Sequence, residues 1–112
     1  NDIYLGNGLD GDDAFEFIQD FASKFGVSLD DYRWYFHHGE EGWNWGGIFF
    51  PPPNARVTRI PVTLANLVDA ANTGRWMIKY PAHVQPKVRK DTRFNLGCSV
   101  IFLLLLVSLA FR

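Results

Sequence analysis

The sequence has little of the chemistry that catalytic and metal-binding sites use. Cys98 is the only cysteine among 112 residues, which excludes an intramolecular disulfide and a metal site built on cysteine pairs. No glycine-rich phosphate loop follows a strand pattern, and no nucleophile–base–acid motif is present. The chain is therefore predicted not to be an enzyme, and neither a cofactor nor a metal is expected.

Charge is unevenly distributed, although the net charge is only −1. Residues 1–50 carry ten acidic and two basic side chains, whereas residues 51–112 carry two acidic and nine basic ones. An acidic face repels phosphate, so nucleic acid is not an expected partner. A basic stretch beside an apolar tail is more typical of a protein that meets a membrane surface.

The strongest helix signal lies between Asp10 and Gly26. Apolar residues recur there at the i, i+3, i+4 and i+7 spacing of one helix face. Asp10 or Asp12 can accept hydrogen bonds from the free N–H groups at the start, and Gly26 supplies a left-handed residue at the end. We expect three phenylalanines of this face to point into the core, namely Phe17, Phe21 and Phe25.

A second helix is predicted after Pro61, with Thr63 as its N-cap and Gly74 at its end. Its apolar stripe is expected to pack against the first helix through Leu64, Leu67 and Val68. Together the two helices indicate a mainly α fold, a small helical bundle.

Residues 30–55 are interpreted as a packed, aromatic-rich loop, with short strands at Trp34–Phe36 and Gly47–Phe50 as an alternative. The aromatic residues could form a surface that binds a lipid or a peptide, but we expect them in the core of a domain with few long helices. They are Trp43, Trp45, Phe49, Phe50 and the later Trp76.

The segment from His37 to Glu41 contains two histidines and two glutamates, as a metal site would. Adjacent residues point in different directions in most backbone conformations, and no third ligand follows at helical spacing. A solvated loop is therefore favoured over a metal site. The DGDD sequence at Asp10 also lacks the ligand spacing of a calcium-binding EF-hand.

Residues Asp10–Gly26, DGDDAFEFIQDFASKFG, resemble the prosthetic-group signature of acyl carrier proteins without a gap. That signature has the form D-S-L-D-x-x-E-L-x-x-x-L-E-x-x-F-G, and Asp10, Asp13, Glu16, Phe25 and Gly26 match it outright. Together with IPVTLANLVDAANTGRW at Ile60–Trp76, the DGDDA start is similar to a group of small enterobacterial proteins of unassigned role, Domain of Unknown Function 1493.

The resemblance implies an acyl-carrier-like helical bundle over residues 1–80. Gly11 occupies the position of the serine that takes 4′-phosphopantetheine in carrier proteins, and glycine has no hydroxyl that could form the phosphodiester. A first helix is expected to precede Asn1, and the lack of an initiator methionine agrees with a missing native N-terminus. By the same resemblance, an acidic surface would dock a protein partner through Asp10, Asp12, Asp13, Glu16 and Asp20.

After a basic linker at residues 81–93, residues 94–112 are predicted to form a hydrophobic helix. The window Leu96–Phe111 contains no charged residue and would span about 24 Å at ~1.5 Å per residue, slightly less than a ~30 Å hydrocarbon core. A transmembrane anchor is favoured over a helix buried between copies, because so small a domain cannot cover it. The residues expected to contact membrane lipid are Val100, Ile101, Phe102, Leu103, Leu104, Leu105, Leu106, Val107 and Leu109.

Orientation follows from the basic residues beside this helix. Four of them precede it, whereas Arg112 alone follows it. The positive-inside rule then leaves residues 1–93 in the cytoplasm, at a bacterial inner membrane crossed once. The four preceding residues are Lys87, Arg89, Lys90 and Arg93.

The expected function is that of a non-enzymatic recognition or regulatory module tethered to a membrane, with a protein partner still to be identified. Two alternatives stay open. One is a carrier of acyl or aminoacyl groups that is modified elsewhere or works beside a complete copy. The other is a membrane-tethered immunity or accessory factor with no connection to acyl chemistry.

Overall fold

The computed structural model describes residues 1–111, and its regular structure is helical, as predicted. The four α-helices are α1 (Ile3–Gly6), α2 (Gly11–Phe25), α3 (Leu64–Thr73) and α4 (Lys90–Ala110). Three short 3₁₀ turns lie between α2 and α3, at Trp34–Phe36, Trp45–Ile48 and Pro53–Arg56. Within residues 1–111 extended pairing is limited to one parallel bridge between Ser28 and Arg75.

Helix α2 ends as its sequence predicts. Gly26 adopts the left-handed conformation at φ 64°, and the amide of Val27 donates to the carbonyl of Ala22 at 2.9 Å. Val27 is buried, so the chain folds back over the last turn and closes the helix with an apolar contact.

The start of α2 differs from the expectation. Asp10 is the N-cap residue, but its carboxylate makes no capping hydrogen bond to the helix. Asp10 Oδ1 instead accepts from the amide of Gly39 at 2.7 Å. Asp10 therefore connects the start of α2 to the loop that contains Gly39 and does not cap the helix with its side chain.

The apolar face of α2 is buried only in part. Ala14 and Ile18 are fully enclosed and Phe17 and Phe21 pack against the core, whereas Phe25 is 57% exposed and contacts the ring of Phe21 at 5.1 Å. The prediction that Phe25 faces the core is therefore wrong, because the last turn of α2 extends past the elements that cover the earlier turns.

Helix α3 is capped on both sides as predicted. Thr63 and Asn66 form a reciprocal capping box, and Gly74 ends the helix at φ 77°. Leu67 and Ala70 are buried, but Leu64 is 64% and Val68 49% exposed. Only Leu67 of the three expected contact residues therefore reaches the core.

The main core lies where α1, α2 and α3 meet the extended segment after Gly74. Its centre is formed by Tyr4, Ala14, Ile18, Val27, Val62, Leu67, Ala70 and Trp76. The strands considered at Trp34–Phe36 and Gly47–Phe50 are absent from the described residues, because 3₁₀ turns occupy Trp34–Phe36 and Trp45–Ile48. The backbone amides in these turns donate to carbonyls three or four residues earlier, such as Phe49 to Gly46 at 3.1 Å.

Helix α4 extends away from this core and gives the molecule dimensions of 64 × 29 × 24 Å. It begins at Lys90, inside the segment that was interpreted as a linker. Its first turns contact the loop that contains Trp45–Ile48, and the later turns project freely.

Candidate membrane-anchoring site and acidic face

Helix α4 is the one helix within residues 1–111 that is long and apolar enough to cross a membrane. Its 21 residues span about 32 Å at ~1.5 Å per residue. From Val100 to Val107 every side chain is apolar and about half exposed or more, and no other part of the domain covers this surface. Eight of the nine residues predicted to meet lipid lie in this run, and the ninth, Leu109, is also exposed.

The first turns of α4 are joined to the domain by a polar network around Asn44. The side-chain nitrogen Nδ2 of Asn44 donates to Asp91 Oδ2 at 2.9 Å, and Asn95 Nδ2 donates to Asn44 Oδ1 at 2.7 Å. Asn95 Oδ1 accepts in turn from the backbone amide of Gly46 at 2.6 Å. Three side chains and one amide therefore hold the loop at Asn44–Gly46 against the helix.

Gly46 permits this close approach because it has no side chain. A Cβ atom at this position would lie 2.1 Å from the carbonyl oxygen of Asp91, which no packed structure tolerates. The loop backbone therefore lies directly on the helix backbone, and any larger residue at Gly46 would push the two apart.

Ion pairs add to the same junction. The guanidinium of Arg89 lies 2.8 Å from Glu40 and 2.5 Å from Asp91, and the Asp91 side chain is almost completely buried. Sequence reasoning missed Asn44, Gly46, Asp91 and Asn95, because each looks like an ordinary loop or helix-end residue. Their partners lie more than forty positions away in the chain.

Several aromatic residues predicted to lie in the core are exposed next to α4. Trp43 is 88%, Trp45 61% and Phe49 65% exposed, and the two indole rings stack at 5.8 Å. Trp76 is only 3% exposed, as predicted for a core residue. The core interpretation is therefore right for Trp76 and wrong for the residues of the 43–49 loop.

His37 is a core residue and not part of a solvated loop or a metal site. Tyr80 Oη accepts hydrogen bonds from Trp76 Nε1 at 2.8 Å and from the Arg33 amide at 3.2 Å. The Tyr80 hydroxyl donates its own hydrogen bond to His37 Nε2 at 2.7 Å. His37 therefore carries its proton on Nδ1 and donates it to the carbonyl of Ile60 at 2.8 Å. Burial lowers the pKa of His37 to about 4, so the ring is neutral at pH 7.

His38 is also buried and lies edge-on to the ring of Phe15 at 4.5 Å. Its Nδ1 bonds to the carbonyl of Gly39 at 2.8 Å, and burial lowers its pKa. Among residues 1–111 no three His, Cys, Asp or Glu side chains are grouped so that they could hold a metal ion. The histidine pair therefore contributes to packing.

Gly11, which the resemblance to acyl carrier proteins places at the serine position, is buried and has φ +51°. This is a left-handed conformation that residues with side chains rarely adopt. A Cβ atom here would lie 2.6 Å from Cγ of Glu41, whose side chain crosses the site. A serine here would strain the left-handed backbone and would displace the flexible side chain of Glu41.

We expect Gly11→Ser to destabilise the domain by roughly 1–3 kcal/mol, because the left-handed backbone is strained for serine and Glu41 must move. Thermal unfolding of the full chain in detergent, followed by tryptophan fluorescence, measures the effect. Gly8→Ser is the matched control, since Gly8 has φ +65° but nothing near a Cβ atom. Equal stability of wild type and Gly11→Ser would show that the left-handed conformation is not required.

The acidic residues predicted for docking are brought together on α2, with one exception. Asp12, Asp13, Glu16 and Asp20 are exposed and lie within about 100° of one another around the helix axis, at 3.6 residues per turn. None of the four forms an ion pair with another residue of the described chain. Asp10 is separate, because its carboxylate is held by the Gly39 amide.

Comparison with known proteins found no matching family model, no matching curated protein and no matching solved structure. The resemblance to acyl carrier proteins therefore stays a prediction from the residues that match the signature.

Proposed function

We propose that the protein is a non-enzymatic recognition module tethered to a membrane by α4. The observation that carries this proposal is the exposed apolar surface of α4, which no other part of residues 1–111 covers. Exposed to water, such a surface would be strongly unfavourable, whereas a bilayer accepts it with the backbone hydrogen bonds closed inside the helix. The polar network at Asn44 supports the tether, because it fixes the domain to the end of the anchor.

The domain is proposed to lie on the cytoplasmic side of a bacterial inner membrane. Lys87, Lys90 and Arg93 are exposed at the start of α4, where they can meet anionic headgroups. Arg89 is partly neutralised by Glu40 and Asp91, but the positive-inside rule counts basic residues and not net charge.

Recognition is assigned to the acidic face of α2, defined as Asp12, Asp13, Glu16 and Asp20. Four unpaired carboxylates on one side of a helix repel one another, and a basic protein surface would relieve that repulsion. Carrier proteins use the corresponding helix to dock partner enzymes, so the resemblance points to the same face. Gly11 has no hydroxyl and a left-handed backbone, which agrees with docking that involves no prosthetic group.

A photo-crosslinking amino acid at Asp20 tests this assignment in the full chain in native membranes. We expect a defined crosslinked product that disappears at high salt and when Asp12, Asp13 and Glu16 are changed to asparagine or glutamine. The same crosslinker at Asn72, which is exposed on α3, is the control. Identical products from both positions, or none from Asp20, would contradict recognition through the acidic face and leave the tether unaffected.

A further inference from the structure

The loop at Trp43–Phe49 presents four large apolar side chains beside the start of α4. Trp43, Trp45, Ile48 and Phe49 are each at least 61% exposed, a concentration of apolar surface that is unusual for a loop in water. In the sequence they directly follow Glu40, Glu41 and Gly42. Their exposure therefore needs a partner that accepts aromatic and aliphatic groups.

Beyond the contact at Gly46, a cleft of about 660 Å³ lies between the exposed side chains of this loop and α4. The loop side is formed by Trp45, Ile48 and Phe49, and the helix side by Phe94, Cys98 and Phe102. Phe49 and Phe94 are in ring contact at 5.3 Å, which closes the end of the cleft near the start of the helix. Asn95 and Ser99 are the polar residues of an otherwise apolar lining, and the cleft is open to the surroundings.

The position of the loop along α4 indicates how deep it lies relative to the bilayer. Phe102 lies about 12 Å further along the helix than Phe94, at ~1.5 Å per residue. If Lys90 and Arg93 are at headgroup level, residues Cys98 to Phe102 lie in the acyl region of the bilayer. Hydrogen bonds of Asn44 with Asp91 and Asn95 hold the loop backbone at headgroup level. The loop side chains share a cleft with α4 residues as far along as Phe102, so they reach the boundary between headgroups and acyl chains.

We propose that Trp43–Phe49 is a second membrane contact, in which the loop inserts into the headgroup–acyl boundary of the leaflet that α4 enters and a phospholipid acyl chain fills the cleft. The inference rests on the proposed tether, because it takes its depth from α4. Tryptophan prefers this boundary, where its ring is in apolar surroundings and its N–H reaches polar groups.

Three observations favour lipid over a second copy of the chain. The apolar surface of the loop is continuous with that of α4, so the lipid that surrounds α4 can also cover the loop. Basic side chains border it, with the ammonium of Lys90 at 5.9 Å from the Phe50 ring, as suits a phosphate headgroup. The Trp43 ring is also almost entirely free, which a bilayer interface accommodates without a complementary protein surface.

Quenching of tryptophan fluorescence by brominated phospholipid tests the proposal. The full chain is reconstituted into phosphatidylcholine–phosphatidylglycerol vesicles in which the upper acyl chain carries bromine. We expect a large loss of emission in the wild type and a much smaller loss when Trp43 and Trp45 are both changed to phenylalanine. The remaining Trp34 and Trp76 belong to the domain, and far-UV circular dichroism checks that the variant is folded.

The other outcomes overturn the inference in different ways. Quenching of Trp43 and Trp45 by aqueous acrylamide but not by brominated lipid would place the loop in water. Protection from both quenchers, lost when the protein is diluted into excess lipid, would show that a second copy covers the loop. In either case the chain would still resist alkali, so the tether would stand. Release of the chain by alkali would instead contradict the proposed function itself.

Discussion

Truncation after Gly97 is expected to change a protein that resists alkaline extraction from membranes into one that alkali releases. The nine residues predicted to meet lipid contribute roughly 3–5 kcal/mol to insertion, at roughly 0.3–0.6 kcal/mol each. All of them lie beyond Gly97. The truncated chain keeps Asn95 and its hydrogen bonds to Asn44 and Gly46, so the junction with the domain is preserved. Sedimentation of membranes after carbonate treatment measures the change.

A single substitution separates the effect of charge from that of chain length. Leu104→Arg places a charge in the middle of the exposed apolar run and should cost roughly 3–4 kcal/mol of insertion free energy, since the leucine contribution is lost as well. Leu104→Ala should cost only a small fraction of that. The arginine variant should therefore be extracted more easily than the alanine variant. If the truncated chain remains in the membrane pellet, or the full chain is released, α4 is not an anchor and an interface between copies becomes the better explanation.

Trp76→Ala is expected to destabilise the domain by roughly 3–5 kcal/mol, the range for removing a large buried aromatic side chain. The Trp76 ring packs edge-on against Tyr32 at 5.1 Å, and its Nε1 donates to Tyr80 Oη at 2.8 Å. Its loss removes a donor from the hydroxyl that bonds to His37, so the buried polar network is disturbed as well. The free energy of unfolding of a small domain is only about 5–15 kcal/mol in total. The Trp76→Ala variant should therefore unfold in detergent at a much lower temperature than the wild type.

Trp43→Ala is the matched control for this experiment. It removes the same side chain from a position that is 88% exposed and makes no hydrogen bond in the described structure, so the unfolding temperature in detergent should change little. Equal losses for the two variants would mean that Trp76 is not in the core. Equal stability of Trp76→Ala and the wild type would contradict the packing around Tyr80.

Both internal helices were predictable because their signals are local. Each signal acts within one or two helical turns. In α2 the signals are the apolar spacing and the end at Gly26, and in α3 the signal is the capping pair of Thr63 and Asn66. The apolar character of α4 was equally evident, because composition alone decides it. Gly11 could be recognised as unable to carry a prosthetic group from its identity, without knowledge of the fold.

The buried and exposed aromatic residues could not be separated in this way. His37 is buried because Tyr80 and Ile60 satisfy its ring nitrogens, and those partners lie 43 and 23 residues away. Trp43 and Trp45 look like core residues in the sequence, yet they are held outside the core because Asn44 bonds to Asp91, 47 residues further on. Both indoles therefore remain exposed next to α4.

The sequence by itself determined the elements of the protein: two amphipathic helices with their ends, an apolar helix, an acidic half and a basic half. Those features depend on residues within a few positions of one another, and their physical chemistry acts before any tertiary contact forms. Only the tertiary structure decided that Glu41 covers Gly11, that the loop of Asn44 lies on α4, and that its aromatic side chains are exposed. Each of these depends on hydrogen bonds and close contacts between distant segments, which local patterns do not encode.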